Sequence, residues 1–176
     1  NTRNFSLTMR NDSNISAKNM LELIGEMEKT FNSNQHRFVS VAKIMHSKAI
    51  ANENPKDAIN QLLYSVQNLN QWFKGDDLNK DQVLAHLTLG NLYLKINDLD
   101  KSIYHLTTAL EISKKIFQDL RNTYVHETLD GLVVSYLKKE ALYEAQNTYN
   151  MHREIFLNSD PRNQSVYDRI LNYSSI

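Results

Sequence analysis

The sequence predicts an all-α chain of about seven or eight helices joined into antiparallel hairpins. Three observations carry that prediction. Glycine and proline are scarce, 4 and 2 among 176 residues, too few for the turns of a sheet protein. Apolar residues recur at three- and four-residue spacings through most of the chain, the period of an amphipathic helix. A small residue also returns just after successive breaks, at Ala58, Ser102 and Ala145, 44 and then 43 residues apart.

Taken in order, residues 1–15 are polar and aperiodic and read as a poorly ordered lead-in, while 16–176 reads as one domain. Met20, Leu23, Ile24, Met27 and Phe31 predict a helix over 16–32 with Ser16 as its cap. After a first-unit helix from about 39, the break Asn52-Glu53-Asn54-Pro55 opens the next one, with Asn54 capping and Pro55 in the first turn. That helix carries Ile59, Leu62, Leu63, Val66 and Leu69, and Gly75 is placed as its left-handed end. The remaining helices are expected at about 81–96, 99–119, 123–138 and 140–158, with a short closing helix near 163–173. Connections of a few residues make consecutive helices antiparallel neighbours.

Composition narrows the function. Twenty basic residues balance twenty acidic ones, so there is neither the basic excess nor the basic stripe of a nucleic-acid binder. No run approaches the ~18 apolar residues of a membrane span, and the first residues hold no signal-peptide core. Cysteine is absent, which removes disulfides, zinc thiolates and thiol nucleophiles and fits an intracellular, cytoplasmic protein. The four glycines form no phosphate-binding or nucleophile-elbow motif. His126-Glu127 lacks the second histidine of HExxH, and no metal site is expected. Asp77, Asn79 and Asp81 have the spacing that opens an EF-hand loop, but Gln82 and Thr88 replace its glycine and glutamate, so a helix-capping loop is expected. No carboxylate pair stands out as an acid–base couple. The expectation is a protein that is not an enzyme and needs no cofactor.

The middle segment, His86-Leu87-Thr88-Leu89-Gly90-Asn91-Leu92-Tyr93 followed by Ser102, Leu106 and Ala109, resembles the tetratricopeptide (TPR) repeat consensus. Leu89-Gly90 matches the Leu-Gly pair, Tyr93 the tyrosine, and Ser102 and Ala109 the two small residues. Leu132, Tyr136, Ala145 and Tyr149 match in a later unit, and Ala58 and Leu62 in an earlier one, where His46 and Ala49 replace Gly and Tyr. The units fall at about 39–72, 83–116 and 126–159, some nine or ten residues longer than the usual 34-residue repeat. The resemblance implies a right-handed stack of helical hairpins, a TPR-like α-solenoid, with a flanking helix at each end. The competing reading is a non-repeating helical bundle with the same apolar stripes.

The resemblance further implies that the first helix of each unit lines a concave face. The candidate binding residues there are Lys43 and Ser47 from the first unit, Leu84, Leu87, Asn91, Leu94 and Lys95 from the second, and Glu127, Asp130, Val134 and Lys138 from the third. Asn91 is the leading candidate, because an amide both donates to and accepts from an extended backbone. Lys43 and Asn91 occupy possible places of the family's carboxylate clamp, but Glu127 and Gly131 stand where its third unit is basic, which disfavours a chaperone-type clamp. The expected partner is another protein or peptide held by a scaffold or adaptor, with no direct nucleic-acid or membrane partner. A peptide-sensing regulatory domain and a self-associating homo-oligomer are the alternatives.

Overall fold

A computed structural model describes residues 17–73 and 78–157 of the chain. The expected lead-in, the caps at Ser16 and Gly75, Asp77, the closing helix at 163–173 and the last two residues of the third unit lie outside the described residues. Among the described residues the chain forms seven α-helices and no strand. They are α1 (Ala17–Phe31), α2 (Arg37–Ile50), α3 (Pro55–Trp72), α4 (Lys80–Lys95), α5 (Leu99–Ile116), α6 (Thr123–Lys138) and α7 (Leu142–His152), the last running on into a π-helical turn, Arg153–Leu157. None of these helices is long and apolar enough to cross a membrane.

The ends of the helices are set by local side-chain chemistry. Asn54 accepts from the backbone N–H of Asp57 at 3.3 Å, with Pro55 in the first turn of α3. Asn79 accepts from the N–H groups of Asp81 and Gln82, and Gln82 Oε1 accepts in return from Asn79 N–H at 3.0 Å. This reciprocal pair satisfies N–H donors that the helix itself leaves open, so Asn79 and Gln82 serve as a capping box. Asp98 and Asn122 cap α5 and α6 in the simpler way. Three helices stop alike: Asn32, Asn97 and Glu140 take positive φ, at 47°, 63° and 61°. The N–H of the next residue then returns to a carbonyl five positions back, Ser33 to Glu28, Asp98 to Tyr93 and Ala141 to Tyr136.

Two expected boundaries move. The α5 helix ends at Ile116 and not at 119, because Phe117 turns extended and stacks on Tyr124, while Asp119 Oδ1 accepts from the backbone N–H of Arg121. The α7 helix starts at Leu142 and not at 140, because Glu140 holds the left-handed turn.

Each helix packs on the next in sequence, and α4 also meets α2 and α6. Partners run in opposite directions: Lys43 faces Tyr64 while Ser47 faces Gln61, and His86 meets His105 while Gly90 meets Ser102. The first helices α2, α4 and α6 begin at Arg37, Lys80 and Thr123, each 43 residues after the last. Ala58, Ser102 and Ala145 are each three residues into their helices, and all three are fully buried. Ser102 Oγ donates to the Gly90 carbonyl at 2.8 Å and lies 2.9 Å from Ser135 Oγ, joining α4, α5 and α6 in one place.

The α4 helix is the centre of the molecule, with 11 of its 16 residues buried, so it lacks the exposed face of an ordinary surface helix. One apolar cluster, with Ile44, Leu62, Leu69 and Leu89, fills the space between α2, α3 and α4. A second, with Val83, Leu87, Leu106 and Leu129, fills that between α4, α5 and α6. Across the first interface, Arg37 on α2 reaches Asp81 at the start of α4 at 2.9 Å and lies over the Phe73 ring.

Candidate functional site

Stacking α2, α4 and α6 side by side leaves a cleft of about 220 Å³ along them. The end of α2 contributes Lys48, Ala51 and Asn52; α6 contributes Glu127. The α4 helix supplies the floor and one wall, with Leu87, Thr88, Asn91, Leu92 and Lys95. Leu87 and Leu92 are only 2% and 4% exposed, so the floor is apolar core seen from outside. Thr88 Oγ1 donates to the Leu84 carbonyl at 2.7 Å. Asn91 is exposed at mid-cleft. Its Oδ1 lies 2.9 Å from where a Cβ on residue 131 would stand, so Gly131 is what allows α6 to come up against that amide.

Charge is divided along the cleft. The α4 and α6 helices are both antiparallel to α5 and therefore parallel to each other. Lys95 lies one turn beyond Asn91, and Glu127 one turn before Gly131. The Lys95 ammonium hydrogen-bonds Asn52, and Lys48 also lines the cleft from α2. One end of the cleft is thus basic, the other acidic, and a neutral amide sits between them. From Leu87 to Lys95 the helix advances roughly 12 Å, the length of about four residues of extended chain.

Of the residues expected on this face, the cleft brings together Leu87, Asn91, Lys95 and Glu127. Leu84 is half-buried against the cluster around Ile44, and Leu94 and Val134 are half-buried beside the cleft and not in it. Lys138 is exposed at the end of α6, away from the lining.

The two first-unit residues are misplaced. Ser47 is fully buried, with its hydroxyl donating to the Lys43 carbonyl and to Gln61 of α3. Lys43 pairs with Glu28 of α1 at 2.8 Å, lies over the Tyr64 ring, and lines a different cleft with Leu21 and Ile24. Lys43 and Asn91 therefore do not form one clamp. The reason is register. The sequence match set the first unit 44 residues before the second, whereas the first helices α2, α4 and α6 repeat every 43. One residue is about 100° around a helix; advancing Ser47 by one gives Lys48, which does line the cleft, whereas advancing Lys43 gives Ile44, which is fully buried in the core. On the same 43-residue spacing Ser47, not His46, stands in the place of Gly90.

Asp130 also leaves the cleft. It turns toward α7, with Oδ2 3.2 Å from His126 Nδ1 and Oδ1 3.4 Å from His152 Nε2. Burial raises its pKa; the adjacent His126 opposes that shift and Glu127 adds to it.

No protein-family model matches this chain, and no curated protein matches it significantly.

Proposed function

We propose that this chain is a TPR-like helical repeat whose cleft on α2, α4 and α6 binds an extended segment of a partner protein. The observation that carries the reading is the cleft itself: alternate helices, 43 residues apart, contribute an apolar floor, a central amide and separated charges to one surface. Asn91 suits main-chain recognition, since its amide can both accept from a peptide N–H and donate to a peptide carbonyl. The cleft is smaller than the ~300–1,000 Å³ pocket that encloses a drug-sized molecule, which favours a strand of chain lying across it. The partner segment carries a basic group toward Glu127, an acidic group toward Lys48 and Lys95, and a small apolar side chain over Leu87.

The repeat reading is supported by the matched small residues Ala58, Ser102 and Ala145 and by the close approach at Gly90. There the second helix of the hairpin leaves no room for a Cβ, which would stand 2.4 Å from Leu106 Cγ. The separation of Lys43 from Asn91 speaks further against a chaperone-type carboxylate clamp.

The test is selection of binders from a library of linear peptides, followed by titration. Asn91→Ala and Glu127→Lys are expected to weaken a selected peptide by about tenfold, the 1–2 kcal/mol of a lost buried hydrogen bond or a reversed charge. Lys138→Ala is expected to leave binding unchanged. Peptides that bind all three variants as tightly as wild type would place the binding surface elsewhere.

A further inference from the structure

A second constellation lies between α6 and α7, apart from the cleft. His126 and Asp130 are four residues apart on α6 and share one face. His152 comes from the last turn of α7, which packs antiparallel to α6. One ligand atom from each of the three residues can be chosen so that all lie within 4.8 Å of one another. We infer that His126, Asp130 and His152 form a binding site for a divalent transition-metal ion, with Zn²⁺ the best fit.

The geometry is close to what the ion requires. Ligands bonded to Zn²⁺ at about 2.0–2.1 Å and at a tetrahedral angle stand about 3.3–3.4 Å apart. The two histidine–carboxylate separations, 3.2 Å from His126 to Oδ2 and 3.4 Å from His152 to Oδ1, are of that size, one to each oxygen of the Asp130 carboxylate, so only a small adjustment is needed for the three residues to share an ion. Two imidazoles and one carboxylate are a borderline, nitrogen-rich donor set that suits Zn²⁺ and disfavours Ca²⁺ and Mg²⁺, which take oxygen.

The surroundings point the same way. His152 is fully buried, and Asp130 Oδ1 is buried and receives no hydrogen bond. His126 and Asp130 keep about a third of their side-chain surface exposed, 33% and 36%, so solvent reaches the outer side of the triad. Three protein ligands with a fourth position open to water is a common arrangement for this ion. The π-helical turn Arg153–Leu157 begins directly after His152. It sets the Phe156 ring 5.1 Å from the His126 ring and 5.0 Å from that of His152, an apolar wall behind both imidazoles. Such widened turns concentrate at functional sites.

The experiment titrates the full chain with Zn²⁺ alone by calorimetry, and with Co²⁺ followed by visible absorption, which reports four-coordinate geometry. Wild type is expected to bind about one ion, to melt at a higher temperature when loaded, and to give the intense Co²⁺ bands of a tetrahedral site. Asp130→Asn keeps the shape of the side chain and removes the charge; His126→Gln removes a ring from the half-exposed position. Each is expected to weaken Zn²⁺ by at least about tenfold and to abolish the Co²⁺ bands, with a far-UV spectrum showing that the helices persist. Using two variants covers the case in which one fails to fold. His36→Gln, at the start of α2, is expected to bind like wild type. The inference is overturned if wild type takes up no ion, or if a folded Asp130→Asn or His126→Gln protein binds Zn²⁺ as tightly as wild type does.

Discussion

Single residues fix how closely the helices approach. At Gly90 an added Cβ would stand 2.4 Å from Leu106 Cγ and 3.2 Å from the Leu106 backbone nitrogen, so the neighbour cannot simply swing aside. Overpacking of this kind costs about 1–3 kcal/mol, and the better helix propensity of alanine returns at most about 1. Gly90→Ala is therefore expected to lower stability by about 1–2 kcal/mol, read from the urea midpoint; an unchanged midpoint would mean that α5 yields at this point. Glu140 presents the opposite case. It holds φ at 61° with a full side chain, where glycine carries no steric penalty. Glu140→Gly is expected to raise stability by about 0.5–1 kcal/mol, and a fall in Tm would contradict the reading of that turn.

At the scale of the element, α4 and α5 share a buried histidine pair. His86 Nδ1 and His105 Nδ1 are 3.0 Å apart, with Tyr93 stacked on the His105 ring and Tyr104 edge-on to it. Desolvation by burial, with His105 adding to it, lowers the His86 pKa from 6.5 to about 4. The unfolded chain therefore takes up the proton first, so this contribution to stability is complete above pH 6.5 and is lost as pH falls toward 4. From pH 7.5 to 5 the loss attributable to His86 is roughly 2 kcal/mol. Comparing urea midpoints of wild type and His86→Gln at both values isolates it: the variant should lose less on acidification, and equal losses would exclude His86 as the source.

Elements were also what the sequence conveyed best, because a helix is written in local terms. The apolar stripes located the helices, Asn54-Pro55 marked the start of α3, and α6 matches its expected bounds of 123–138. Register around the helix was less secure. The weak first unit holds no Gly-Tyr pair to anchor its register, and a one-residue shift separates the buried Ser47 from Lys48, which lines the cleft. The proposed triad is half visible in the sequence: His126 and Asp130 have i, i+4 spacing, but Asp130 stands where HExxH places its second histidine. His152, 22 residues beyond Asp130, is brought in only by the packing of α7 on α6.

For the whole molecule, the order of packing predicts where stability resides. The α4 helix touches α2, α3, α5 and α6, whereas α1 rests mainly on α2 through Met27, Ile24 and Val39. Native-state hydrogen exchange should find the slowest amides in α4 and earlier opening of α1; an α1 that outlasts α4 would mean that the central stack is not the stable unit. The same arrangement creates the cleft, because its walls belong to helices that are distant in sequence and adjacent only when stacked. The central claim is that an extended peptide lies across α2, α4 and α6. Chemical-shift mapping on the labelled chain, with a selected peptide added, tests it most directly. The account predicts that the shifted amides cluster at 48–52, 87–95 and 127–131. Shifts confined to the outer faces of α5 and α7, around the exposed Tyr104 and Tyr143, would contradict it.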